Sequence, residues 1–175
     1  VWASTWLVIR EGLADLPPFT ALAWRFSIAA IGFALIGGPI ARKEGGGAPS
    51  LRLSLVMGVC NFAVSYGFVY WGETVIPSGL ASVLWATYPL MVALLSHRVL
   101  PGERLTTRHA TGFAVGFVGV VLLFVGDLGS MGRDAVVMGA LFLISPAISA
   151  VGNVIVKRDG EGTSSVLLNR NGALI

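Results

Sequence analysis

The sequence predicts an all-α membrane protein, a polytopic bundle of helices, and three observations lead there. Of its 175 residues 55% are hydrophobic and only 12% are charged, about half the charge of an ordinary soluble domain. The mean hydropathy is +0.80. Four stretches of 17 to 23 residues, at 53–72, 74–96, 110–126 and 135–156, contain no Asp, Glu, Lys or Arg, and roughly 20 predominantly apolar residues are enough to cross a bilayer as a helix. The same figures argue against a soluble enzyme, a nucleic-acid-binding domain or a disordered chain.

The first span covers residues 1–14. It is apolar up to Ile9 and then meets Arg10 and Glu11. It is short, it lacks the basic leader of a signal peptide, and more spans follow it, so it reads as a span whose start is missing. The second runs over 18–41 and is interrupted only by Arg25; Leu16-Pro17-Pro18 ahead of it places proline where a helix begins. Gly45-Gly46-Gly47-Ala48-Pro49-Ser50 predicts a flexible link to the third span. Pro77-Ser78 opens the fourth and Pro101-Gly102 closes it. Gly126-Asp127-Leu128-Gly129-Ser130 follows the fifth, and the sixth is 135–156. Beyond it the sequence stops inside a fresh apolar stretch and reads as a piece of a longer protein. No segment alternates with period two over membrane depth, which argues against a β-barrel. The single cysteine, Cys60, allows no intrachain disulfide.

Charge placement predicts the orientation. With loops alternating sides, Arg42, Lys43, Arg52, Arg98, Arg104, Arg108, Lys157 and Arg158 fall on one side, while the other receives Arg133 with Asp15, Glu73, Asp127 and Asp134. The side rich in Lys and Arg is expected in the cytoplasm. That places the N-terminus inside and turns the net charge of +3 into a topology signal. It leaves no role for nucleic acid. A weak internal repeat accompanies this: Val8-Ile9-Arg10 matches Ile155-Val156-Lys157, and Arg25 is followed at a similar offset by Arg170. Because five spans precede it, a second copy of the unit would lie upside down, the inverted arrangement common among secondary transporters.

The stretches Trp2-Ala3-Ser4-Thr5-Trp6, Leu16-Pro17-Pro18 and Trp24-Arg25-Phe26 resemble the start of an EamA-type unit. So do Pro77-Ser78-Gly79-Leu80-Ala81-Ser82-Val83-Leu84, Tyr88-Pro89-Leu90, Gly102-Glu103-Arg104-Leu105 and Gly139-Ala140-Leu141. Their order and spacing are similar to those of the drug/metabolite transporter superfamily, whose ten-helix permeases consist of two inverted five-helix repeats. The resemblance implies a first repeat over 1–126 and the start of a second over 135–175. It also implies export or exchange of small metabolites or drugs by alternating access, with no cofactor, in the plasma (inner) membrane. The partners it implies are a small-molecule solute and the lipid bilayer, with a homodimer left open. Most of the second repeat lies outside this sequence.

Arg25 stands out among candidate functional residues, since it lies about seven residues, or roughly 10 Å, into a helix. A charge at mid-membrane costs about 2.5–3.5 kcal/mol on insertion scales, so it demands a reason. Either it lines a cavity and meets an anionic group, or it forms an ion pair (Glu11 and Glu73 are in reach), or it snorkels to the surface. Asn61, Ser65 and Tyr66 in the third span, with Trp85 and Tyr88 in the fourth, are candidates for lining the substrate cavity; interhelical hydrogen bonding is the alternative reading. Pro89 and Pro146 each free a backbone carbonyl near the middle of a span and are hinge candidates. Gly112, Gly116 and Gly119 form a small-residue stripe expected to pack against another helix. Tyr70 and Trp71 are expected as interface anchors. No metal site is expected: His97 and His109 share no helix face. HExxH, GxSxG and P-loop motifs are missing, so the residues point to no enzyme. A non-transporting sensor or assembly scaffold is the alternative to a permease.

Overall fold

The computed structural model describes residues 2–128 and 132–175; within those ranges the side chains of 2, 3, 120 and 123–128 are not described. The connection expected at Gly126-Ser130 therefore falls in part outside the described residues. Among the described residues the chain forms seven helices, and the one β-type pairing is a bridge between Gly47 and Thr163. They are α1 (Trp2–Asp15), α2 (Pro18–Glu44), α3 (Leu51–Gly72), α4 (Ser78–Val99), α5 (Thr107–Leu128), α6 (Arg133–Asp159) and α7 (Ser165–Ala173). Of these, α2, α3, α4 and α6 are long and apolar enough to cross a membrane. The chain is thus an all-α polytopic membrane protein, with its element order as the hydropathy predicts.

Three of the helices are not uniform. α3 opens as an α-helix over Leu51–Val56, widens into a π-helix over Met57–Val64 and returns to α over Ser65–Gly72. α4 consists of Ser78–Trp85 and Tyr88–Val99, and α6 of Arg133–Phe142 and Ile144–Asp159. Both interruptions have one cause. Proline has no N–H to donate to the carbonyl four residues earlier. For Pro89 that carbonyl belongs to Trp85, and for Pro146 to Phe142. Each is the last residue of its half-helix.

α6 lies at the centre of the bundle, against α3 and the second half of α4, while α7 lies along α2 and α3 and α1 packs on the first half of α4. The apolar core gathers at the 72–78 end, where Ile9, Ala21, Val69, Tyr70, Ile76, Leu80, Met138 and Phe142 are buried together. Tyr70 is therefore a core residue, 4% exposed, and not the interface anchor expected of it; Trp71 beside it does face outward. The outer face of α2 shows Phe19, Trp24, Ile28, Ile31 and Leu35, each more than half exposed. So large an apolar surface suits lipid and not water.

The opposite end holds the basic loops together. Arg52 pairs with Asp159 at 3.1 Å, and Lys157 pairs with Glu103. The glycine-rich link is not free there. Gly47 N–H donates to Gly162 O at 2.8 Å and Ser164 N–H to Gly47 O at 2.9 Å. A Cβ on Gly46 would lie 2.5 Å from Ser164 N, so only glycine admits this approach. Glu44, at the end of α2, accepts from Ser164 Oγ and from the backbone N–H groups of Ser165 and Val166 at 3.1 and 3.3 Å. It thereby satisfies the free donors at the start of α7. The expected flexible link is a pinned corner.

Among the described residues a Cβ at Gly112, Gly116 or Gly119, the stripe expected to pack against another helix, meets nothing within 4 Å. α5 touches little beyond the first half of α4, and Gly112 and Gly116 border an open groove with Ala86, Thr87 and Leu90. Close approach occurs elsewhere. A Cβ on Gly72 would lie 2.4 Å from the Phe142 ring, and one on Gly152 would lie 2.5 Å from Asn61 Nδ2. Gly72→Ala is accordingly expected to cost about 1–3 kcal/mol by overpacking, read as a lower unfolding midpoint in detergent. Gly112→Ala is expected to be neutral or to stabilise by up to about 1 kcal/mol through helix propensity.

Candidate functional site

The two proline-induced interruptions stand at the same level of the bundle, because one side chain touches both. The Trp6 ring of α1 lies 6.1 Å from that of Trp85 and 6.2 Å from that of Phe142. Tyr88, the first residue of the second half of α4, stacks on Trp85 at 5.1 Å. Thr5, Trp6, Ile9, Tyr66, Val69 and Trp85 enclose a cavity of about 10 Å³, roughly the space of one water centre. The aromatic cluster is thus nearly shut in this conformation.

Arg25 reaches this cluster through Tyr66. Its Cζ lies 5.0 Å from the centroid of the Tyr66 ring, within cation–π range. Tyr66 is in turn met edge-on by Phe26 at 5.3 Å, and Phe26 is 5.0 Å from Phe62. The expected carboxylate partners are engaged elsewhere or absent. Glu73 accepts from Ser78 Oγ at 3.1 Å, Glu11 is exposed, and among the described residues Arg25 forms no ion pair. A π-face stabilises the guanidinium without cancelling its charge, so the cation stays available to a negative group.

Asn61 and Ser65 share a face, as their spacing predicts, and that face is pressed into α6. Ser145 Oγ donates to Ser65 O at 2.8 Å and lies 3.0 Å from Ser65 Oγ. It also accepts from Trp85 Nε1 at 3.2 Å. One hydroxyl so uses its donor and both acceptor positions. Farther along, Asn61 Oδ1 accepts from Ser149 Oγ at 2.7 Å and Asn153 Nδ2 at 2.6 Å. With Asn61 5% and Ser65 0% exposed, the two residues act here as bonds between helices, the alternative reading of their polarity. The glycine at 152 lets α6 approach closely enough for these bonds to form.

The structure therefore brings Arg25, Tyr66, Trp85 and Tyr88 into one aromatic cluster and ties Ser65 to it through Ser145, while Asn61 is held by Ser149 and Asn153 farther along α6. Pro89 and Pro146 bracket it as helix breaks. Sequence reading missed the partners Ser145, Ser149 and Asn153, although their spacing of four places them on one helix face. It also missed Trp6 as the common contact of both breaks, for which the sequence carries no distinguishing signal. His97 Nδ1 lies 3.1 Å from Glu103 O in the loop after α4. Among the described residues no group of three His, Cys, Asp or Glu is placed to hold a metal.

Residues 1–125 match the EamA-like transporter family. The chain is 26% identical over 158 residues to the transporter YoaV of Bacillus subtilis, covering 90% of this chain and 53% of that protein. It is 33% identical over 159 residues to the inner membrane transporter YedA of Escherichia coli, covering 88% of this chain and 49% of that one. Against a probable terminal-alkyne amino-acid exporter of Streptantibioticus cattleyicolor it is 31% identical over 126 residues, which cover 71% of this chain and 41% of that protein. The chain spans about half the length of the curated relatives it matches. No solved structure matches it. With a family match that covers all of α1 to α4 and most of α5, the chain belongs to the EamA-like transporter family.

Proposed function

We propose that this chain forms the first five-helix repeat and the beginning of the second in a secondary permease for small organic solutes that works by alternating access. Family membership supports transport as the general activity. The observation that carries the mechanism is the pair of helix breaks at one level, on α4 and α6, facing Trp6. Discontinuous helices near mid-span are where transporters place substrate sites, because unwound backbone there can line a cavity. The matched segments run oppositely, as an inverted repeat requires. Arg10 lies beside Ile76 at one end of the bundle and Lys157 beside Glu103 at the other.

In this reading Trp6, Tyr66, Trp85 and Tyr88 form the apolar walls of a cavity that opens when the half-helices swing about Pro89 and Pro146. Asn61 and Ser65 hold α6 in place instead of touching the solute. Arg25, uncancelled by any carboxylate among the described residues, supplies the positive charge for an anionic group of the solute. The relative named as a probable amino-acid exporter handles a solute class with such a group. The basic-loop end is the cytoplasmic one, by the excess of Lys and Arg there.

Two measurements test this. In the full-length protein, Arg25→Ala is expected to lower efflux of an identified solute on the order of tenfold, about 1.4 kcal/mol, whereas Arg25→Lys retains part of it because an ammonium also sits over a ring. Unchanged efflux in Arg25→Ala removes the residue from the mechanism. For orientation, with Cys60 replaced by Ser, a membrane-impermeant maleimide is expected to label Thr74→Cys in intact cells and Glu161→Cys only after lysis. The reverse pattern inverts the topology.

A further inference from the structure

Among the described residues Glu73 is the one buried carboxylate, and the proposed transport cycle leaves it unused. It follows Gly72 at the end of α3, outside the membrane-crossing helices, and is 3% exposed. Oε2 accepts from Ser78 Oγ at 3.1 Å, while Oε1 has no hydrogen-bond partner. The chain on either side of it is buried: Glu73 N–H donates to the carbonyl of buried Val69 at 3.0 Å, and Tyr70 and Ile76, three residues before and after it, are 4% and 0% exposed. An ionised carboxylate in such a place keeps one oxygen desolvated and unpaired, which disfavours the charged form.

The charges that face Glu73 are few. From α1 comes Arg10, whose Nη1 donates to Ile76 O at 3.5 Å and not to the carboxylate; Glu11 and Asp15 of the same helix are exposed. α2 carries Arg25, which is occupied over Tyr66. From the first half of α4 comes only the Ser78 hydroxyl. α6 carries Arg133 and Asp134 in its first turn, both exposed. Burial pushes the Glu73 carboxyl up to about 7, and the Ser78 hydrogen bond and the Arg10 charge only partly offset it.

We propose that Glu73 is a proton-binding site that controls the closed seam between α1, α4 and α6 at the 72–78 end of the bundle. The proton comes from water on that side and forms an O–H on the free oxygen of the carboxylate; its release restores the carboxylate and returns the proton to the same water. In the neutral form Glu73 stays buried under Ile76. In the charged form it draws Arg10 from the Ile76 carbonyl, or draws water in, and the seam loosens. The sign follows from the raised pKa. The buried arrangement is fully stable below the ordinary glutamate range and weakens as pH rises through about 7. Coupling of solute movement to a proton gradient through this gate rests on the permease reading; the proton site itself does not.

The test uses the full-length protein in lipid nanodiscs, with the proton as the only ligand. Infrared difference spectra across a pH titration are expected to show a carboxyl signal disappearing with a midpoint near 7, and Glu73→Gln is expected to abolish it. With Cys60 replaced by Ser, maleimide labelling of Ile76→Cys is expected to rise severalfold over the same interval and to become independent of pH once Glu73→Gln is added. Should Glu73→Gln fail to fold, Arg10→Gln serves instead. It removes a cation that lowers the carboxyl pKa and is expected to move the midpoint upward. A carboxyl signal confined to the ordinary range near pH 4–5, a signal that survives Glu73→Gln, or labelling indifferent to pH overturns the proposal. Absence of solute transport with the Glu73 signal intact defeats the permease reading and leaves the proton site standing.

Discussion

The structure depends on a constraint that lipid imposes on the backbone. Inside a bilayer each N–H and C=O must find a partner within the protein, because no water is there to supply one. Pro89 and Pro146 each leave one carbonyl without its helical donor, and the chain responds by ending a half-helix at that residue. The break lets α4 and α6 offer different faces above and below it. The second half of α4 lies along the second half of α6, while the first half of α4 meets α1. Trp6 touches both helices at the residues where each is interrupted.

The polar seam between α3 and α6 answers the same constraint with side chains. Hydroxyls and amides in lipid carry a cost unless bonded, and Ser65, Ser145, Ser149, Asn153 and the Asn61 oxygen meet it among themselves, while Asn61 Nδ2 stays buried without a partner. Such contacts are worth only about 0.6 kcal/mol each on average within membranes, so their main effect is to fix register. A slip of one residue in either helix would strand several at once. Gly72 and Gly152 enforce the register from the other direction, since the atoms opposite them leave no room for a side chain.

How much of this was legible follows from which signals are one-dimensional. Hydropathy and the sign of loop charge are properties of consecutive residues, so the order of the helices and the gathering of basic loops at one end could be read directly. Pro89 and Pro146 were legible for the same reason: the missing donor is a local fact. What needs a second helix was not legible. Gly112, Gly116 and Gly119 carry a clean small-residue spacing yet meet nothing close among the described residues, Gly112 and Gly116 bordering a groove, whereas Gly72 and Gly152, with no pattern about them, form close contacts. Spacing says which residues share a face and is silent on whether a partner lies opposite. The π-helical turn at Met57–Val64 escaped for a related reason. A widened turn exists to re-aim side chains at a neighbour, and nothing in its own residues announces it.

The charges inside the bundle complete the argument. An ion pair with Glu11 or Glu73 is one of three readings the sequence offers for Arg25, and the one that would cancel its charge. The structure separates Arg25 from Glu73 and gives each a partial remedy, a tyrosine face for the cation and a serine hydroxyl for the acid. A matched pair would have been a fixed strut, since removing either member exposes the other to the full desolvation penalty. Separated, each keeps an unmet electrostatic demand. A cation over a ring still attracts an anion, and a buried acid with a free oxygen still binds a proton. In the proposed cycle these two unmet demands are what a second state could satisfy, because a ligand or a proton shifts an equilibrium only by binding one state better than the other.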